Sequence, residues 1–462
     1  MTRYVIAALL LLSACTVGPD YKRPDVELPD AYGLPSSVAS TSDQWWTLFD
    51  DPVLNRLEEE ALANNRDLRA AAERIEQARA QFSITRSDQL PVAGIEAERS
   101  RSRASEKAGG FPLPPDAIQT DTHRLVLRAS WELDFWGKYR RASEAALADL
   151  FAADSVRDAV RLTLVAEVAR AYFALRAADR RVELLEREMT GWNKSLELQQ
   201  LRLDAGAISE VDLRQVEAAA RATEALVPLA RQDRTAQEGA LSVLLGRSPR
   251  AVFEAPIERS DRDEGLARIV GVEVPAGLPS DLLLRRPDLR EAEARLHAAN
   301  ARIGVARAAY FPSITLTGYY GGESQSLGDL FSGPARTWNI GAGLLQPLFT
   351  GGQIRGGVEL SEARTRELTE LYQKAVAVAF RDVRDNIAAQ TNARETLLAQ
   401  REREKALSRT AELMRLRYDN GAVSLFEVLD TERLLIVSRL EAIDAARARS
   451  TAIINLYLSL AL

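Results

Sequence analysis

Chemistry that needs a thiol has a single address in this chain: Cys15, the one cysteine among 462 residues. It follows Arg3, the apolar run from Val5 to Leu12 and then Ser13-Ala14, the charged, apolar and small-residue order of an export signal that ends in a lipobox. The chemistry expected there is cleavage before Cys15, transfer of diacylglycerol to its thiol and acylation of the new amino terminus. Several acyl chains, at about 0.8 kcal/mol per buried CH₂, hold a protein on a bilayer stably. Thr16 rather than Asp after the cysteine implies sorting to an outer membrane. The apolar run itself falls well short of the roughly 18 residues that a spanning helix needs.

The other residues whose spacing suggests chemistry are carboxylates just beyond two glycine turns. Gly206, between Ala205 and Ala207, precedes Ser209 and Asp212; Gly421, between Asn420 and Ala422, precedes Ser424, Glu427 and Asp430. Each glycine ends a long helical pattern where a positive φ is needed, and each serine can cap the returning helix. Glu427 and Asp430 are three apart and share a helix face. On the residues alone such a pair reads as a solvated face, or as Asp430 paired to Arg433.

Little else is equipped for catalysis. His123 and His297, the only two histidines, lie far apart, and a lone cysteine excludes an internal disulfide framework and any cysteine-based zinc site. The chain has no serine nucleophile elbow, HExxH or P-loop, and Gly351-Gly352 with Gly356-Gly357 read as a strand-to-helix corner. A net charge of −6, with 60 Lys and Arg dispersed along the chain, gives no basic stripe for nucleic acid. The expectation is a non-enzyme without metal or cofactor, carrying only covalent lipid on Cys15.

The elements that position these residues come in two copies. Asp67-Leu68-Arg69-Ala70 returns as Asp288-Leu289-Arg290-Glu291, and Arg202-Leu203-Asp204-Ala205-Gly206-Ala207-Ile208-Ser209 returns as Arg417-Tyr418-Asp419-Asn420-Gly421-Ala422-Val423-Ser424. Order and spacing recur together, so the chain is a tandem duplication with a period too long for a solenoid. Each copy reads helix, two strands, long helix, glycine turn, helix. Alternation is clearest where Leu125, Leu127, Ala129, Trp131 and Leu133 interleave with Arg128, Ser130, Glu132 and Asp134. The resulting division is a signal peptide at 1–14, an anchored N-terminal segment at 15–63, a first repeat at 64–250, a linker at 251–285 and a second repeat at 286–462. Strands are expected at about 91–103, 122–135, 312–321 and 336–347, and long helices at about 138–204 and 358–420.

Val182, Leu185, Met189, Trp192, Leu196, Gln199 and Leu203 keep a 3,4 spacing across Gly191, which predicts one unbroken helix with a coiled-coil seam. At 1.5 Å per residue such helices reach about 100 Å. Two short helices end to end match the length of one long helix, so each long helix can be flanked over its whole extent. Four amphipathic strands cannot stand open in lipid, where each unsatisfied edge group costs several kcal/mol. Closure with other chains is required. Outer-membrane barrels have even strand numbers from eight upward, and three copies give twelve strands together with enough helical wall to enclose a water-filled tube.

Cys15-Thr16-Val17-Gly18-Pro19-Asp20-Tyr21 with Arg23-Pro24, then Trp45-Trp46 with Phe49-Asp50-Asp51-Pro52, resembles the opening of the lipoprotein branch of the TolC-type outer-membrane factors. The resemblance extends over the duplication and both glycine turns. It implies a mainly α fold with a β-barrel part: a homotrimer with a twelve-stranded transmembrane barrel, a periplasmic α-barrel of antiparallel helical hairpins and an equatorial region that includes Trp45 to Ala63 and Arg247 to Arg285. It also implies an exit duct for small-molecule efflux, sited in outer-membrane lipid and joined by a periplasmic adaptor to an RND-type inner-membrane transporter. The adaptor would dock at the tips formed by Ala205, Gly206, Ala207, Ser209, Asn420, Gly421, Ala422 and Ser424. Asp212, Tyr418, Glu427 and Asp430 would form the periplasmic gate, with Val423 where some members carry Arg. The competing readings are a type I protein-secretion duct and a periplasmic coiled-coil scaffold; the scaffold leaves the four alternating strands unexplained.

Overall fold

The computed structural model describes residues 16–27, 44–105, 118–260 and 286–461; Cys15, the signal segment and residues 261–285 of the expected linker lie outside them. The helices are α1 (Pro52–Asn64), α2 (Arg66–Ser87), α3 (Lys138–Asp204), α4 (Glu210–Leu244), α5 (Pro249–Glu254), α6 (Pro287–Ala308), α7 (Gln353–Asp419) and α8 (Leu425–Leu460). The strands are β1 (Val92–Arg103), β2 (Gln119–Glu132), β3 (Ser313–Ser324) and β4 (Arg336–Leu345). The chain divides into two units, one comprising 1–25, 74–154 and 291–373, the other 26–73, 155–290 and 374–462.

The first unit is built on an antiparallel sheet in the order β1-β2-β3-β4. Directly opposed residues share a face, so the register sorts the side chains. One face carries the rows Ile95–Leu127–Tyr320–Trp338 and Ala93–Ala129–Gly318–Ile340, with Trp131 opposite Leu316 and Leu316 opposite Ala342. Ile95, Leu127, Tyr320, Trp338 and Ile340 are all exposed. The other face carries Gly94–Arg128–Tyr319–Asn339 and Ser130–Thr317–Gly341. There Arg128 pairs with Glu96, and Arg124 pairs with Glu323 at 3.7 Å while lying 4.5 Å from the Tyr319 ring centre. The sheet is therefore apolar outward on one side and polar on the other, and among the described residues β1 and β4 each pair along one edge only.

Several expected boundaries move for local reasons. β2 ends at Glu132 rather than 135 because the Asp134 carboxylate accepts from the backbone N–H groups of Tyr139 and Arg140, at 3.2 and 2.8 Å, and so caps α3. β4 stops at Leu345, two residues before Pro347, which has no N–H to continue a ladder. β3 runs on to Ser324, past Gly321 and Gly322, which pair with Thr337 and Arg336. α7 begins at Gln353 rather than 358: Gly351 and Gly352, at φ 59° and 89°, make the corner alone, and Gly356 and Gly357 lie inside the helix. α5 occupies the start of the expected 251–285 linker.

Residues 16–23 form a strap in this unit. Val17 N–H donates to the Trp136 carbonyl at 3.0 Å, Asn300 donates to the Pro19 carbonyl at 2.9 Å, and Arg23 grips Glu293 through two bonds of 2.7 Å. A Cβ on Gly18 would stand 2.5 Å from the Gly304 Cα, so the close crossing requires glycine.

The second unit has its main core where α1, the turn Trp45–Phe49, mid-α3 and the C-terminal part of α8 meet. Trp45 stacks on Tyr457 at 5.4 Å, and Leu54, Tyr172, Leu175, Leu241 and Ile453 are buried with it. Asp51 caps α1 through Val53 N–H at 2.9 Å and accepts from the Tyr172 hydroxyl at 2.6 Å, tying the N-terminal turn to α3. α3 passes through Gly191 unbroken, and its predicted seam is the buried one: Val182 and Leu185 pack on Val227 and Ala230, and Trp192 on Val216 and Ala220.

Candidate functional site

The helical turns at Gly206 and Gly421 are built alike. Both glycines have φ 71°. Gly206 N–H donates to Leu203 O and Ala207 N–H to Arg202 O, both at 2.8 Å; Gly421 N–H donates to Tyr418 O at 2.9 Å and Ala422 N–H to Arg417 O at 2.8 Å. This pair of bonds is a Schellman motif, which satisfies the last carbonyls of each long helix and needs the left-handed residue. Ala205 and Asn420 donate to Leu201 O and Leu416 O one position earlier. Nothing lies within 4 Å of where a Cβ would stand on either glycine, so both tips are sterically open.

Each returning helix opens on serine. Ser209 caps α4 in a reciprocal box: the Asp212 N–H donates to Ser209 Oγ at 3.3 Å, and the Asp212 carboxylate accepts from the Ser209 N–H at 3.1 Å. At α8 the Glu427 carboxylate accepts from the Ser424 N–H at 2.8 Å and hydroxyl at 3.0 Å. The Ser424 backbone and hydroxyl bonds, helped by Arg417, hold the Glu427 carboxyl below its usual pKa. The structure thus puts Asp212 and Glu427 in equivalent places, as N3 residues of caps. The S-x-x-D/E spacing carries that signal in the sequence.

Asp430 stands one turn further along α8 and pairs with Arg433 at 2.7 Å, both exposed. The pair borders an apolar groove of about 360 Å³ between α4 and α8, walled by Phe426, Leu429, Val437 and Leu226. Tyr418 packs against the buried cluster of Trp192, Val216, Ala220, Leu425 and Ile436, which draws on both hairpins. Among the described residues it makes no hydrogen bond to Asp212, whose Oδ2 accepts from Ser209. Trp192 of the predicted seam is buried in this cluster, and one further group organises this end without having been singled out in the sequence: Glu432, which ties α8 to α7 through Arg415 at 2.5 Å. Among the described residues no helix is long and apolar enough to cross a membrane, and no group of His, Cys, Asp and Glu could hold a metal ion.

Paired hairpins with matched tips, joined in one chain to a four-stranded sheet with an exposed apolar face, are the arrangement found in known proteins. Residues 57–247 and 278–462 match the outer membrane efflux protein family. The chain belongs to that family. It is 34% identical to the probable outer membrane lipoprotein SilC of Salmonella typhimurium, over 98% of this chain and 97% of that one. It is 32% identical to the cation efflux system protein CusC of Escherichia coli K12, over 98% and 97%. A crystal structure of CusC superposes with a TM-score of 0.85 at 32% identity, covering 96% of this chain and 99% of the other, and the Campylobacter jejuni CmeC outer membrane channel with 0.87 at 26%, covering 97% and 95%. As a member of this family the chain is an outer-membrane efflux protein.

Proposed function

We propose that three copies of this chain close into one duct, the outer-membrane exit of a tripartite efflux pump. The observation that carries this reading is the sheet: apolar and exposed on one face, polar and ion-paired on the other, with both edges unpaired. Three such sheets joined edge to edge satisfy every ladder group, lay the apolar rows against lipid and turn Arg124, Arg128 and Glu96 toward water. From Leu344 to Trp338 the apolar rows run about 20 Å along the strand at 3.4 Å per residue, which at a barrel tilt of about 40° lays roughly 15 Å of them within the apolar band of about 25 Å of an outer-membrane barrel. Helices α3 and α7, of 67 residues each, are long enough to reach about 100 Å into the periplasm. The open glycine tips are the surface on which a periplasmic adaptor, itself coupled to an RND-type transporter, would dock.

The first test separates anchoring from insertion. Because the barrel buries its own apolar belt, Cys15→Ser behind a cleavable signal is expected to yield trimers in the outer membrane at reduced efficiency. Recovery of the variant only as a soluble monomer counts against the barrel.

For the gate, threefold symmetry would set Glu427 and Asp430 as rings of carboxylates at the periplasmic entrance, where like charges select cations. Arg433 neutralises Asp430 in part, so the double replacement Glu427→Ala, Asp430→Ala is expected to lower cation selectivity in planar bilayers and to weaken block by trivalent cations. The trimer yield should hold. Unchanged selectivity and block would leave Asp430 a solvated partner of Arg433 and Glu427 a cap alone.

A further inference from the structure

We propose that the second unit carries a binding site for a multivalent oxyanion, in the cavity where α3, α7 and α8 converge, and that the bound anion ties the α7–α8 hairpin to α3. The cavity has a volume of about 370 Å³ and is ringed by Arg180, Glu183 and Arg187 of α3, Arg401 and Glu404 of α7, and Arg439 of α8. Arg180, Glu183, Leu184 and Arg187 stand at 0, +3, +4 and +7, as do Arg439, Ala442, Ile443 and Ala446, so one stripe of α3 faces one stripe of α8 across the cavity.

The charges do not cancel. Four guanidiniums meet two carboxylates in the lining, Glu188 of α3 beside it is a third, and Arg180 and Arg401 have partners of their own, so the excess falls on Arg187. Glu183 is held by Arg180 at 2.9 Å, and Glu404 lies 3.8 Å from Arg439, which also pairs with Glu188 of α3. Arg187 makes no ion pair or hydrogen bond among the described residues and has its fork available. Leu184, Ile443 and Ala446 make the floor apolar, and an apolar wall beside a charge lowers the local dielectric and strengthens its pull on an anion. Guanidinium forks match oxyanion geometry bidentately, which favours phosphoryl or carboxylate groups over halide. The volume admits an anion of pyrophosphate or citrate size, and a ligand touching all three helices would oppose their separation.

The site is read from charge and geometry alone and is independent of the duct reading, so its test needs no transport. Isothermal titration of the detergent-solubilised full chain with sodium pyrophosphate, and separately with sodium citrate, both at constant ionic strength, is expected to give saturable binding of at least one of them. Pyrophosphate alone would assign a phosphoryl ligand, and citrate a carboxylate one. Arg187→Ala should weaken binding about tenfold, as expected for losing a charge-assisted bond; Arg187→Lys should weaken it less. The pair Arg187→Ala, Arg401→Ala should abolish it, while Arg250→Ala, on an exposed face of α5, leaves it unchanged. The bound anion should raise the melting temperature of the wild type more than that of Arg187→Ala, which removes no hydrogen bond or ion pair among the described residues. Absence of saturable binding by both anions, or equal affinity in Arg187→Ala, overturns the proposal.

Discussion

Replacing Gly421 with Trp is expected to abolish efflux while the protein still folds and assembles. At φ 71° any side chain introduces left-handed strain of about 1–2 kcal/mol, a local cost at the end of a hairpin. Among the described residues no atom lies within 4 Å of the new Cβ, so the side chain leaves the backbone without a clash at its base and is expected to project from the tip. What it obstructs is whatever approaches that tip. Gly421→Ala separates the two effects, since it carries the same backbone strain with almost no bulk. The expected result is trimer at wild-type yield for both variants, with efflux near normal in Gly421→Ala and reduced about tenfold or more in Gly421→Trp, the loss that follows from weakening adaptor binding by about 1.4 kcal/mol. Gly206→Trp should behave likewise. Wild-type efflux from both Trp variants would remove docking from these tips, and equal loss from Ala and Trp would assign the effect to strain.

The parts of this molecule that were legible in its sequence are those governed by short-range periodicity. The 3,4 spacing from Val182 to Leu203 fixes which stripe of α3 is buried, and the alternation around Trp131 fixes which face of β2 is apolar; both are one-dimensional signals. Boundaries were less legible because side chains decide them. Asp134 ends β2 by capping the next helix, which alternation extended through Leu133 and Phe135 cannot show. The carboxylates near the tips illustrate the same limit. Spacing put Glu427 and Asp430 on one face, yet their neighbours distinguish them: Ser424 engages the first and Arg433 the second. Arg187 and its cavity need three helices from distant parts of the chain to be placed together, and no local pattern announces them.

Glu58 belongs to the same class, and its replacement carries the largest expected effect on stability. On α1 the buried stripe is Val53, Leu54, Leu57, Glu58 and Ala61, apolar but for one carboxyl. Glu58 is fully buried, and neither carboxyl oxygen has a hydrogen-bond partner among the described residues. Burial therefore pushes its pKa well above the usual carboxylate range. In the unfolded chain the group ionises near its ordinary value, about 4.3. Between that value and the raised folded one, the native state retains a proton that the unfolded state has released. Native stability must therefore fall as pH rises through this window, and be insensitive to Glu58 below it. Glu58→Leu removes both the ionisation and the unsatisfied oxygens, whose burial costs about 1–3 kcal/mol. It is expected to raise the melting temperature, with the gain over wild type growing from pH 4 toward neutrality. Glu58→Gln keeps the shape of the neutral acid and should flatten the pH dependence with a smaller gain. Melting curves of the three proteins at pH 4, 5.5 and 7 decide it. A wild-type curve parallel to that of Glu58→Leu at every pH, or a leucine variant less stable at pH 7, would mean that the carboxyl is ionised and solvated in the native protein.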